Sequence, residues 1–600
     1  MREYSSPASV EIPSSASLTD VLYERAASDP GRVVMRRRSA AGGAGWQAVT
    51  ARQFADDVTA LAKGLIAAGI AAGDRVALMS RTRYEWTIID YAIWAAGATT
   101  VPIYETSSAE QVEWILTDSE AHALIVETPA HLQTAAKPLA AAPEVGRVWV
   151  IEDGATAGAD LTVPDRPVPV EPLSALATAG ADVTGEQVDQ RRTSRNTADL
   201  ATIIYTSGTT GRPKGCKLSH GNLLADVRNV LHGPLAAIFE APGASTLLFL
   251  PLAHSFARII QVGCVESGVV LGHAPSVARL LPDLTSFQPT FILAVPRVFE
   301  KVYNGADQQA SGTGTAAGGG PGTLLRLRHA LFDRLVYAKL RAAVGGRVSY
   351  AVSGGAALGE RLGHFFRGVG ITVLEGYGLT ESSAAATVNR PDRIKIGTVG
   401  QPLPGASVRI ADDGEIFLGG PNIFGGYWRN DTATAEVLED GWLRTGDMGE
   451  LDGDGYLRVT GRKKELIVTA GGKNVAPAVL EDRIRAHPLV SQTLVVGDGR
   501  PYVAALITLD EESVDIWKAK FPDLKDKAVA DLTEAPELLA ELQSAVDDAD
   551  KAVSRAEAVR RFRVLPGDFT ERNGYLTPSL KVRRNVIVKD YAADIEALYS

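Results

Sequence analysis

Cysteine is almost absent from this chain: Cys216 and Cys264 are the two it has. That excludes a disulfide framework or a thiolate metal cluster, and each reads as a small buried apolar residue in a reducing compartment. Positive charge is also in short supply. Lys and Arg number 61 against 71 Asp and Glu, a net charge of −10, so no basic face dominates and a nucleic acid partner is not expected. An unbroken apolar run of membrane-spanning length is missing too. The most apolar stretch, Leu247 to Leu271, is interrupted by His254, Arg258 and Glu266. The opening residues, MREYSSPASVEIPSS, lack the apolar segment of a signal peptide. The expectation is a cytoplasmic protein, with peripheral membrane contact left open and the oligomeric state unread. What remains is ordinary globular material, 45% hydrophobic and 22% charged over 600 residues, too long for one core.

The most informative segment is YTSGTTGRPKGC, from Tyr205 to Cys216. The β-branched run that starts at Leu200 reads as a buried strand, so the glycines fall in the turn that leaves its end. Gly208 and Gly211 let backbone N–H groups approach an anion; Thr206, Ser207, Thr209 and Thr210 add hydroxyl donors, and Lys214 adds a point charge. The spacing of Gly208, Gly211 and Lys214 is not that of a Walker loop.

Upstream, strands and helices alternate. Arg75 to Ser80, Thr99 to Ile103 and Ala121 to Val126 read as strands, and Tyr84 to Ala96 (amphipathic) and Ala109 to Asp118 as helices. Such βαβ units predict a mostly parallel sheet with ligands at the carboxyl ends of its strands. Residues 153–198, rich in Ala, Pro and Gly, read as a surface connection, and the Gly-rich stretch 305–322 as a mobile loop, either a passive insertion or a lid. From Gly400 to Thr460 short strands with Gly/Asp turns predict an antiparallel, barrel-like subdomain. Asp452 and Asp454 there read as hairpin-turn residues, since the other ligands of a calcium loop are missing. The acidic stretch Asp510 to Val559 reads as a solvated helical face.

Further segments stand in order along the chain: LPLAHSFAR (Leu250 to Arg258), YAVSGGAAL (Tyr350 to Leu358), EGYGLTE (Glu375 to Glu381), TGD (Thr445 to Asp447), GRKKELIVTAGGKNVAP (Gly461 to Pro477) and LTPSLK (Leu576 to Lys581). Together with the glycine-rich loop, their order and spacing resemble the acyl-adenylate-forming enzymes from about residue 17 to the end. The long-chain fatty acyl-CoA synthetase branch is the most similar, on VPRVFEKVYN (Val295 to Asn304) and the segment after it. The resemblance implies an α/β fold. Residues 1–461 would form a large ATP- and acyl-binding domain containing the 400–460 subdomain, 462–464 a hinge, and 465–600 a small mobile α+β domain.

It also implies roles. Thr206 and Glu381 would hold Mg2+; Ser207, Gly208, Thr209, Thr210, Gly211 and Lys214 would cradle the phosphates of ATP. Gly354, Gly355, Glu375, Gly376, Tyr377, Gly378 and Thr380 would line the adenine side, and Asp447 and Arg462 would meet the ribose. His254 would gate the acyl pocket, Lys464 would be the hinge pivot, and Lys581 would bridge carboxylate and α-phosphate. Leu580 stands where many relatives have glycine, and Val468 where some carry another lysine.

The implied reaction joins a fatty acid to AMP with loss of pyrophosphate, then passes the acyl group to coenzyme A. The small run SSAAAT (Ser382 to Thr387) suits an apolar chain, worth about 0.8 kcal/mol per buried methylene. Transfer to a carrier-protein thiol is the alternative. A kinase, an ATPase and a regulatory nucleotide-binding protein are readings from other classes, separated from the first by fatty-acid-dependent release of pyrophosphate.

Overall fold

Apolar runs from Arg75 onward build one side of an eight-stranded sheet in the computed structural model, which describes residues 1–38, 45–152, 160–163, 166–206, 212–276, 279–300, 302–303, 337–577 and 581–600. Its order is Lys214–Ser219, Leu200–Thr206, Thr99–Ile103, Arg75–Met79, Ala123–Val126, Arg147–Val150, Arg166–Pro172 and Asp160–Val163. The interior pairs are parallel and both edges are closed by antiparallel neighbours. Thr206 thus ends a strand at its carboxyl end, and the chain returns with Lys214 directly opposite it.

Two readings change. The segment taken as a surface connection supplies the sheet edge: Val168 and Val170 are buried, and helices Leu173–Ala179 and Gly185–Thr193 follow. Strand Arg166–Pro172 pairs with Asp160–Val163 through residues 166–169 and with Arg147–Val150 through residues 170–172, so each proline meets a partner strand on one side and its missing N–H does little harm. Helix Tyr84–Ala95 is not amphipathic; every residue except Glu85 is buried, including Asp90. Asp90 is neutralised by Arg258, which also lies over the rings of Trp86 and Trp94 at 5.4 and 5.1 Å. A helix covered on all sides tolerates one charge only when that charge is paired. The Gly-rich stretch 305–322 lies outside the described residues.

A second set of parallel strands, Phe291–Ala294, Tyr350–Ser353 and Thr372–Tyr377, ends at the segments VPRV, GGAAL and GLTE. Strands Ser407–Ile410, Glu415–Gly419, Trp442–Leu451, Leu438–Glu439 and Leu457–Arg462 form an antiparallel sheet, joined at its edge by Glu3–Ser5 from the N-terminus. Asp452 closes its hairpin by accepting from the backbone N–H groups of Asp454 and Tyr456, at 2.9 and 3.0 Å.

Beyond the short turn Lys463–Glu465, strands Val490–Val496, Val503–Leu509 and Val559–Val564 form a three-stranded sheet. Its buried cores draw on residues from Ile467 onward, whereas those of the preceding sheets draw on residues up to Leu457. Among the described residues no helix is long and apolar enough to cross a membrane.

Candidate active site

The carboxyl ends of the parallel strands and the antiparallel strand Trp442–Leu451 converge on one cluster of side chains. Tyr377, last in its strand, donates its hydroxyl to Asp447 Oδ2 at 2.8 Å. Arg462 lies opposite Asp447 in the ladder and brings Nε to Oδ1 at 3.2 Å. Asp447 is buried, whereas the Arg462 side chain is 40% exposed, so the carboxylate is fixed and its cation can turn to solvent. Thr445 Oγ1 accepts from Asp447 N–H at 3.0 Å and holds the turn.

Glu381 accepts a hydrogen bond from the Tyr427 hydroxyl at 2.8 Å. Cys216 is buried between Glu381 and Thr206, its sulfur 3.9 Å from Thr206 Oγ1, and burial followed by the Glu381 charge pushes its thiol well up. A thiol so held stays protonated and serves as packing. Lys214 places its ammonium 5.0 Å from the centre of the Tyr427 ring. Ser207, Gly208, Thr209, Thr210 and Gly211 lie outside the described residues.

On the second set of parallel strands, Glu375 Oε1 accepts from Leu358 N–H at 2.9 Å, tying the segment EGYGLTE to YAVSGGAAL. Burial raises its carboxyl to about 7. Gly355 takes φ +85°, and Gly354 lies against Phe256. Gly378 is irreplaceable for a different reason: a Cβ there would sit 2.3 Å from the Ala384 carbonyl oxygen. Gly376 faces Thr387, and the Thr380 hydroxyl is 3.2 Å from that of Ser255. His254 caps helix Ser255–Ser267 by accepting from Phe256 N–H at 3.1 Å. Burial and the nearby Lys581 push its imidazole down to about 3, so it is neutral.

Lys581 comes into this cluster from the far end of the chain. Burial and then Arg462 lower its pKa, while Asp447, Glu381 and Glu465 oppose that shift. Thr577 fixes the approach, its hydroxyl accepting from Lys581 N–H at 3.0 Å. Lys464 sits apart, exposed in the turn Lys463–Glu465.

Several residues had no motif to reveal them. Glu415, buried, accepts from Gly446 N–H at 3.1 Å and from Lys463 Nζ at 2.9 Å, joining the TGD turn to the turn Lys463–Glu465. The strained backbone at Ser383 and Ala384 (φ 64° and 128°) is pinned by the Ser383 hydroxyl on the Asn422 carbonyl and by Asp226 accepting from Ala385 N–H at 3.1 Å. These partners are distant in sequence, and only the fold brings them together.

Glu381, held by Tyr427, and Thr206, on the other side of Cys216, offer the oxygen donors that suit Mg2+. Among the described residues no group of three or more His, Cys, Asp or Glu side chains could cage a metal, so an ion here would depend on ligand oxygens as well. Buried Asp447, neutral His254 and incoming Lys581 are thus gathered into one cluster at the carboxyl ends of the strands.

The model of the AMP-binding enzyme family matches residues 22–428, and that of the AMP-binding enzyme C-terminal domain matches residues 464–600. The chain belongs to the AMP-binding enzyme family. A long-chain-fatty-acid–CoA ligase of Mycobacterium tuberculosis, FadD15, is 48% identical over 619 residues and spans 100% of both chains. The long chain acyl-CoA synthetase 7 of Arabidopsis thaliana is 30% identical, covering 92% of this chain and 81% of its own. The fold also matches the adenylation domain of a carboxylate reductase from Mycobacterium chelonae, with a TM-score of 0.79, 22% identity and coverage of 98% and 92%.

Proposed function

We propose that the chain is a long-chain fatty acid–CoA ligase that forms acyl-AMP and pyrophosphate from a fatty acid and ATP, then transfers the acyl group to coenzyme A. The observation that carries the reading is the approach of Lys581 to Glu381, Asp447 and His254 within a chain 48% identical, end to end, to a ligase of that name.

In this reading residues 1–461 bind ATP and the acyl chain, and 465–600 move about the 462–464 hinge. The fatty acid carboxylate and the α-phosphate repel each other, so positioning and positive charge limit the rate. Lys581 supplies that charge between them as the carboxylate oxygen attacks phosphorus and pyrophosphate leaves. Glu381 and Thr206 would hold Mg2+, which supplies further charge to the phosphates. Thr206, Lys214 and the 207–211 loop cradle those phosphates; Gly354, Gly355, Glu375, Gly376, Gly378 and Thr380 shape the adenine cleft on which Tyr377 lies. Asp447 accepts from the ribose hydroxyls and Arg462 donates to them. Neutral His254 gates the acyl pocket without adding charge beside the substrate carboxylate. In the second half-reaction the CoA sulfur attacks the acyl carbon and AMP leaves, after the small domain has swung Lys581 away.

The test measures pyrophosphate release with ATP and magnesium across fatty acids of increasing length, with thioester product identified by mass. Release that rises with chain length and yields acyl-CoA is the expected result. No fatty-acid-dependent release would overturn the assignment, and thioester on a carrier protein but not on CoA would replace its second half.

A further inference from the structure

The segment VPRVFE, after strand Phe291–Ala294, has no role in the nucleotide cluster above, yet its Arg297 and Glu300 face the C-terminal domain. Arg297 Nη2 donates to Ser491 Oγ at 3.0 Å and lies 3.6 Å from Asp510 Oδ2. Its Nη1 donates to Glu300 Oε2 at 3.3 Å. Glu300 is buried, and its other oxygen accepts from Arg485 Nε at 3.3 Å. Arg297 and Arg485 side chains are 20% and 18% exposed, enough burial for the charges to count and enough water for them to part.

The cluster continues towards Lys581. The Ser491 hydroxyl donates to Asp568 Oδ2 at 2.7 Å, and Asp568 Oδ1 accepts from the Thr508 hydroxyl at 2.6 Å. Asn573 Nδ2 donates to the Asp568 carbonyl at 2.8 Å, and Thr577 N–H to the Lys581 carbonyl at 2.8 Å. Arg297 therefore reaches the segment that leads to Lys581 through Ser491, whose hydroxyl holds Asp568.

We propose that Arg297 and Glu300 are positioning residues for adenylation: they dock the C-terminal domain so that Lys581 reaches Glu381 and Asp447, and they release it before thiol transfer. Each cross-contact joins a residue before the hinge to one after it, so rotation at the hinge breaks them together. Weakening the dock then slows the first half-reaction alone. The proposal rests on the two-step reaction assigned above.

The test uses the full chain in two single-turnover assays, acyl-adenylate formation from fatty acid and MgATP, and acyl-CoA formation from supplied acyl-adenylate. Arg297→Ala and Arg485→Ala should each slow adenylation about tenfold or more while transfer is unchanged or faster. Both act through Glu300, so the double variant should lose less than the product of the two single losses. Arg297→Lys keeps the charge without the fork and should fall between, which also guards against an alanine variant that fails to fold. Equal slowing of both halves, or adenylation at the parent rate, overturns the proposal. If the parent itself shows no fatty-acid-dependent adenylation, the reaction assignment fails instead. The dock is then read by tryptic cleavage at exposed Lys464, faster in the alanine variants if it exists and identical if it does not.

Discussion

The Tyr377 hydroxyl donates to Asp447 at 2.8 Å while Arg462 holds the other oxygen of the same carboxylate at 3.2 Å. The segments EGYGLTE and TGD are therefore one hydrogen-bonded unit with Arg462. Asp447→Ala leaves the half-buried Tyr377 hydroxyl without its acceptor, at about 1–3 kcal/mol, while the 40% exposed Arg462 turns to solvent at little cost. The KM for ATP should rise about tenfold or more. Asp447→Asn keeps an acceptor for Tyr377 and should fall between parent and alanine. Equal KM values for all three proteins would remove Asp447 from nucleotide contact.

Lys581 carries a pH signature. Burial and Arg462 lower its pKa, so its positive charge is lost at a lower pH than for an exposed lysine. Single-turnover adenylation should show an alkaline decline at a lower pH than an exposed lysine would give, and transfer from supplied acyl-adenylate should lack it. Lys581→Ala should cost adenylation about 100-fold or more and leave transfer near the parent rate. A decline common to both halves would assign the titration to another group.

The parallel sheet and the site motifs were legible because each is local: a β-branched run, a glycine turn, a hydroxyl at a fixed offset. What escaped was set by partners far away. The charged Asp90 and Arg258 read separately as one face of a helix and one position of a gate motif, and only burial shows them paired. Val168 and Val170 were hidden because Pro and Ala around them imitate a loop, although a strand laddered on one side at each proline accepts such residues. Glu415 belongs to an unremarkable strand, and its link to Gly446 and Lys463 depends on how that strand lies beside Trp442–Leu451.

Asp226 offers a test of the strained loop. One carboxyl oxygen accepts from Ala385 N–H, the other has no partner among the described residues, and burial raises the group to about 8. Its unfolded value is about 3.9. A raised folded pKa gives stability that is full below about pH 4 and is lost as pH rises through about 8. Asp226→Asn removes that loss, so its gain in Tm over the parent should grow from about pH 5 to about pH 8. Thermal scans at both pH values decide it; a gain that does not change with pH would mean that Asp226 ionises normally.

Lys464 stands exposed in the short turn Lys463–Glu465, beside the ion pairs of Lys463 with Asp413 and Glu415 at 2.6 and 2.9 Å. A pivot must change its backbone angles, and proline holds φ near −65°, close to the range of a 3-10 turn. The N–H groups in the first turn of a short helix have no acceptor within it, so Lys464→Pro removes no bond that this turn makes itself. The substitution should hold the arrangement that brings Lys581 to Asp447. Acyl-adenylate should still form, because the phosphate strand, Glu381 and Asp447 all precede the pivot. Transfer to CoA should fail, because the small domain cannot leave. Single-turnover traces of acyl-adenylate and acyl-CoA in the same reaction decide the matter. Adenylate that accumulates without thioester supports the pivot at Lys464, and parallel slowing of both without accumulation would place it elsewhere in the chain.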